Sequence, residues 1–209
     1  SDSIFNHLAF LGGAVKGIME TDPRPDVINA FNYDDVASSA CIFDVEKLDN
    51  INLRMIAKKE PSQLYDILAM DYGLNPKWSD NYTKDNFFKA IAVAKDGART
   101  ILDLISTLNM FVFSDVDKAL LEDLTDQQSE FVLDLIKKYI DVDITGDAWK
   151  NVKEQIASWG SLRGAILFKT IRVIMTGRKN GPPIDDIMMV MRPRILKERL
   201  TLVKNFLVR

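Results

Sequence analysis

The sequence has one cysteine (Cys41) and one histidine (His7) among 209 residues. That excludes an internal disulfide, a Cys/His zinc site and a Cys-x-x-Cys redox pair. A Ser-His-Asp triad would have to use His7, in the first turns of the chain, a poor place to bury a base. Proline is missing between 77 and 181: the seven prolines fall at 23, 25, 61, 76, 182, 183 and 193. Because proline breaks helix interiors, that gap permits several consecutive helices. No apolar run approaches the ~18–20 residues of a membrane span, so no membrane partner is expected. No apolar segment near the start carries basic flanks and a cleavage site, so no secretory leader is expected and the expected location is the cytoplasm. Neither a Gly-x-Gly-x-x-Gly nor a Walker phosphate loop is present. The carboxylates are scattered, with no pair set in an apolar pocket. On its own, the sequence supplies no active site.

What is present is a polarised charge pattern. The net charge is −3. From Arg163 to Arg209, however, 11 Lys/Arg stand against 3 Asp/Glu, and the preceding residues carry the acidic excess. An acidic body with a basic tail points to a polyanion at one end, or to basic residues that simply solvate the last helices.

Hydrophobic periodicity reads as helix. Ile101, Leu104, Ile105 and Leu108 form an i, i+3, i+4, i+7 stripe. Val132, Leu135, Ile136, Tyr139 and Ile140 repeat it, as do Leu196, Leu200, Val203 and Leu207. Met110-Phe111-Val112-Phe113 lies between helical patterns and is expected to fill a junction. Thr83, Pro61-Ser62 and Thr125-Asp126 are expected N-terminal caps. Three regions follow: residues 1–60, with glycines and prolines between short helices; a helical bundle over 61–142; and a second helical unit over 143–209. Asp141-Val-Asp143-Ile-Thr145-Gly146 begins like a calcium loop, but its twelfth position is Val152, where a bidentate Glu is needed. It reads instead as a helix-to-helix turn.

The informative stretch is Ile171-Arg172-Val-Ile-Met-Thr176-Gly177-Arg178-Lys179-Asn180-Gly181-Pro182-Pro183-Ile184. Arg172 sits alone in an apolar helix, so it must pair with a carboxylate, snorkel or face a ligand. Gly177 is placed to stop the helix, and the two prolines to start the next. A rigid Gly/Pro loop with exposed cations suits an unstacked base, through backbone hydrogen bonds, proline packing and guanidinium stacking. A capped hairpin with a salt-bridged arginine would produce the same pattern.

This stretch resembles the C-terminal end of bacterial glutamyl-tRNA synthetases, which commonly read Leu-Arg-x-Ala-Leu-Thr-Gly, a short loop, then Pro-Gly-Leu. Two more matches occur in the family's order. Asn6-His7-Leu8-Ala9-Phe10-Leu11-Gly12 is similar to Asn-Tyr-Leu-Ala-Leu-Leu-Gly, and Phe43-Asp44-Val-Glu-Lys47-Leu48-Asp-Asn-Ile-Asn52 to Phe-Asp-x-x-Lys-Leu-x-x-x-Asn. The resemblance implies an all-α fold: a two-part helical cage that grips the anticodon, preceded by the end of a stem-contact region. The family's His-Ile-Gly-His-type and Lys-Met-Ser-Lys-Ser-type motifs are absent. The expectation is therefore a C-terminal fragment without cofactors of its own, whose longer parent uses ATP and magnesium to attach glutamate to tRNA. A monomer is expected, with tRNA as the partner.

Carried over by resemblance, Arg172 contacts an anticodon base, and Gly181, Pro182 and Ile184 line the pocket for the first anticodon base. The family often has Thr where this chain has Gly181, so backbone contact must suffice. Arg178 and Lys179 would meet phosphates, which position rather than specify. The family's Val-x-Glu-Arg supplies an arginine that reads the last anticodon base; here Val93-Ala94-Lys95-Asp96-Gly97-Ala98-Arg99 puts Gly97 there. Cytosine offers acceptors to an arginine and guanine opposes it with donors. Losing the arginine would remove a penalty on the order of 1–3 kcal/mol against guanine, so that tRNA for glutamine becomes acceptable beside tRNA for glutamate, or preferred to it. Gly97 in a helix interior costs about 1 kcal/mol relative to Ala, and close helix packing is the other explanation for it. Lys95 or Arg99 are the candidates to replace the missing cation on the RNA backbone or base. The competing class is a helical protein-interaction module with a basic tail and no RNA role.

Overall fold

Capping side chains set the start of six of the twelve described α-helices. The computed structural model describes residues 1–38, 41–73 and 82–208, so Pro76 and Arg209 lie outside the described residues. The first elements are α1 (Asp2–Leu11), α2 (Arg24–Ala30), a 3-10 turn (Tyr33–Asp35) and α3 (Val45–Lys58). Asp44 caps α3 by accepting from the Lys47 amide. α4 (Pro61–Asp71) follows, then α5 (Lys84–Lys95), α6 (Ile101–Asn109), α7 (Lys118–Glu122) and α8 (Asp126–Tyr139). The last four are α9 (Ala148–Ser158), α10 (Gly164–Thr176), α11 (Ile184–Val190) and α12 (Pro193–Leu207). Among the described residues no strand forms; an isolated antiparallel bridge joins Val15 to Phe31. No helix there is long and apolar enough to cross a membrane.

Thr83 and Thr125 cap α5 and α8 as their sequences predict, and Thr125 with Gln128 makes a reciprocal capping box. The cap of α4 falls one residue earlier than Pro61-Ser62 suggests. Glu60 caps it, paired with Gln63, and Pro61 takes the first helical position, where a missing N–H costs nothing. The 141–147 segment is a turn: Asp143 accepts from the amide and hydroxyl of Thr145, and the Gly146 amide donates to Met188. Met110, Phe111 and Val112 are buried in the turns after α6.

Side-chain burial follows the stripes. α8 buries Val132, Leu135, Ile136 and Tyr139, and α12 buries Ile195, Leu196, Leu200 and Val203. α4, α5 and α6 pack in succession, while α8, α10 and α12 pack on one another. α11 lies against both α5 and α9. One apolar cluster therefore runs from Ile56 to Val203, and the helices before and after residue 142 share a core. The first three helices pack together beside it. They are tied to it by Lys95, which donates to the Ala57 and Lys59 carbonyls, and by Asn52, which donates to the Arg99 carbonyl.

His7 departs from the sequence expectation. It is fully buried, edge-on to Phe43 with ring centroids 5.0 Å apart, and neither ring nitrogen has a hydrogen-bond partner. The contacts of α1 with α2 and α3 cover what the sequence suggests is an open end of the chain.

Candidate nucleic-acid interface

The site is built where α10 ends. Its last turn closes on Thr176, whose hydroxyl donates to the Arg172 carbonyl and accepts from the Arg178 amide. Gly177 then takes a left-handed conformation at φ +74°, and its amide donates to the Val173 carbonyl. Only glycine fits: a Cβ at this position would lie 2.5 Å from the backbone oxygen of Asp115. The chain thus turns sharply while pressed against the segment that follows α6.

The loop is fastened at two more points. Arg178 Nη1 donates to Ser106 Oγ on α6 at 3.0 Å. Lys179 Nζ pairs with Asp123, just after α7, at 2.9 Å, both side chains being exposed. Such a pair contributes little in solvent and leaves the ammonium available to another anion.

Arg172 is half-buried, and its Nη1 donates to the Pro182 carbonyl at 2.7 Å. Among the described residues no carboxylate pairs with it. Of the three fates open to a lone arginine in an apolar helix, salt-bridging is thereby removed. The carbonyl holds the guanidinium at the mouth of the turn with further donors unused. Gly181 sits beside it at φ +149°, a conformation that residues with a side chain rarely adopt, and its Cβ position is 3.7 Å from Arg172 Nη1. The path of the backbone, as well as the space, therefore calls for glycine where the resembling family often has Thr. Pro182 is half-buried and Pro183 exposed, and Ile184 opens α11 half-buried against the core.

The orientation of α11 is fixed from behind. Trp149 Nε1 donates to Asp185 at 2.7 Å and Lys153 pairs with the same carboxylate at 2.6 Å. The Lys153 hydrogen bond holds the Asp185 carboxyl below its ordinary value, against the desolvation that raises it. Alongside the turn lies a cleft of about 370 Å³ lined in part by Gln128, Lys169, Thr170, Lys179 and Asn180. Asp123 lines it too, so its two lysines outnumber its carboxylates by one, a slight cationic excess beside the corner.

The structure thus brings Arg172, Arg178, Lys179, Gly181, Pro182 and Ile184 together. Lys95, Gly97 and Arg99 form a second group at and just beyond the end of α5, beside α3. Lys95 spends two of its donors capping α3. Gly97 is not in a helix interior as the sequence suggests: α5 ends at Lys95, and Gly97 is exposed in the following turn. A Cβ there meets nothing within 4 Å, so close packing does not account for it. The Arg99 side chain is exposed. Sequence reasoning missed Ser106, Asp123 and Lys169. It also missed Arg199, a fully buried cation on α12 that donates to the carbonyls of Met110, Phe113 and Met175. Burial pulls its guanidinium down to about 10, which leaves it charged at neutral pH. Its position, i+4 from Ile195 and i+3 from Leu196, was a visible signal of an arginine on an apolar face.

Fold and corner together place the chain among all-α domains that present cations around a rigid turn. It belongs to the anticodon binding domain family, whose model matches residues 62–203. Relatives include glutamate–tRNA ligase 2 of Caldanaerobacter subterraneus subsp. tengcongensis, 24% identical over 99% of this chain and 44% of the ligase. The glutamate–tRNA ligase of Natranaerobius thermophilus is 26% identical over 91% of this chain and 41% of its own length. A solved glutamate tRNA ligase from Elizabethkingia meningosepticum, in complex with its amino acid, superposes with a TM-score of 0.74 at 16% identity. It covers 98% of this chain and 41% of that one. The chain thus spans about two-fifths of the length of the relatives it matches, and corresponds to their C-terminal part.

Proposed function

We propose that this chain grips the anticodon loop of a tRNA as the anticodon-binding part of a glutamate–tRNA ligase, a cytoplasmic and monomeric enzyme that joins glutamate to the tRNA 3′ end. The observation that carries the reading is the corner itself. Arg172 is anchored by a backbone carbonyl, with no carboxylate paired to it among the described residues, beside a Gly-Pro-Pro turn and a cleft lined by Lys169, Lys179 and Asp123. A guanidinium held this way keeps donors for a base edge or a planar face for stacking, while the flanking cations meet phosphates. ATP and magnesium belong to the chemistry of the longer enzyme. No step of that reaction is assigned to these residues.

Gly97 supports a finer reading. With no neighbour demanding a glycine there, the absence of a base-reading arginine is the remaining account of the position. An enzyme so built accepts tRNA for glutamine beside tRNA for glutamate. Charging both tRNAs with the full-length enzyme tests this, and strict rejection of the glutamine tRNA ends it.

The broader reading is tested by titrating the chain with a glutamate anticodon stem-loop at two salt concentrations. Phosphate-dependent binding weakens steeply with salt. Arg172→Ala is expected to weaken binding far more than Glu154→Ala, on the acidic body. Salt-independent binding, or none, would favour a protein-interaction module instead.

A further inference from the structure

The corner depends on a residue that never faces it. We infer that Arg199 is a positioning residue for base reading: its guanidinium fastens the last turn of α10 to the turns after α6, and so fixes where Arg172 and the Arg178–Pro182 loop stand. The inference rests on the anticodon-reading proposal and deepens it.

Three observations converge on one crossing. Arg199 is fully buried on the apolar face of α12. It donates through Nη2 to the carbonyls of Met110, at 2.7 Å, and Phe113, and through Nη1 to that of Met175. The two sets of acceptors come from different parts of the chain: Met175 lies three residues after Arg172 and two before Gly177, whereas Met110 and Phe113 follow α6. Second, Gly177 is in backbone contact with the neighbouring stretch at Asp115. Third, Arg178 reaches Ser106 on α6 itself. The end of α10 is thus docked on the 106–116 stretch by a cation, a close backbone approach and a side-chain hydrogen bond.

The chemistry of the cation argues for positioning. A buried guanidinium that hydrogen-bonds no carboxylate, with Asp115 acting on it through charge alone, is a costly way to fill a core site, and an apolar side chain would fill it more cheaply. What only a planar fork supplies is simultaneous, directional hydrogen bonding to several carbonyls. Carbonyls at helix C-termini carry the negative end of the helix dipole and lack helical partners, so they are suited acceptors. The Nε of Arg199 has no hydrogen-bond partner, so the two Nη groups alone set the direction. Without them, α10 is free to slide along the 110–113 turn, and Arg172 moves with it.

The test compares the 209-residue chain with its Arg199→Lys and Arg199→Met variants. The probes are a glutamate anticodon stem-loop and one with the first anticodon base exchanged. Circular dichroism melts establish that each variant is helical. Arg199→Met leaves three carbonyls without donors, so Arg199→Lys, which retains the charge but not the fork, carries the comparison if the first does not fold. The expected result is a preference between the two stem-loops that falls about five- to tenfold, while the dependence of binding on salt, set by phosphate contacts, keeps its slope. A purely structural role would scale both affinities equally. A folded variant that keeps the wild-type base preference overturns the inference. Loss of the helical fold in both variants also overturns it, because Arg199 then serves the fold alone. If the wild-type chain binds neither stem-loop, or shows no preference between them, the anticodon reading fails before the variants are compared.

Discussion

Replacing Gly177 by alanine sets a methyl group 2.5 Å from the backbone oxygen of Asp115 and forces a side chain into φ +74°. The two costs are separable. The left-handed conformation costs an L residue roughly 1–2 kcal/mol. The collision adds to it, because the opposing atom is backbone and cannot rotate away; overpacking of this kind costs about 1–3 kcal/mol. The sum, about 2–5 kcal/mol, corresponds to a fall in melting temperature of roughly 4–20 °C in a chain this size. Gly146 supplies the control. It has φ +59° and nothing within 4 Å of its Cβ position, so Gly146→Ala carries the conformational term alone. Urea unfolding followed by far-ultraviolet circular dichroism measures both variants. Gly177→Ala is expected to lose more than Gly146→Ala by about 1–3 kcal/mol. Equal losses would mean that the end of α10 is not seated on Asp115, and the account of the corner would fail with it.

Three further outcomes are expected. The carboxyl of Asp185 is held below 3.8, first by its Lys153 hydrogen bond and with help from Trp149. Since its folded value is depressed, the clasp between α9 and α11 is intact above the ordinary carboxylate value and is lost as pH falls through the lowered one. The midpoint of the Trp149 emission change should therefore lie below the ordinary carboxylate value, and Asp185→Asn should abolish that transition; a midpoint at or above the ordinary value contradicts the clasp. Lys95→Met removes both donors from the end of α3 and should cost about 1–2 kcal/mol, with faster amide exchange in its last turn. Unchanged exchange there would show that the ammonium does not cap the helix. Gly97→Ala should change stability by no more than about 0.5 kcal/mol; a larger loss would restore a packing role for this glycine.

Helix existence was legible because amphipathic stripes and capping residues agree: Thr125 with Gln128 starts α8 and Gly177 ends α10, each as its chemistry predicts. The cap of α4 was misplaced because Glu60 is a weak capping signal by itself and becomes one only with Gln63 and Pro61 around it. The corner was legible as a list of residues but not as an arrangement. Spacing showed that Arg172 needed a partner; that the partner is the Pro182 carbonyl depends on the turn at Gly181, which spacing does not specify. Ser106, Asp115 and Asp123 lay beyond reach because they approach the loop from far along the chain. The burial of His7 was hidden for a similar reason: it comes from α3 and Phe43, not from its neighbours in sequence.

Because Ser106, Asp115 and Asp123 belong to the stretch before residue 142 and Arg172 to Ile184 to the stretch after it, an occupant of the corner and the seam between the two stretches share a single equilibrium. Whatever fills the corner acts as a staple across that seam, raising the resistance of the whole chain to unfolding as its concentration rises above its dissociation constant. The same linkage runs backward: loosening the seam weakens the grip on the occupant in proportion to the fraction of molecules it leaves without a formed corner.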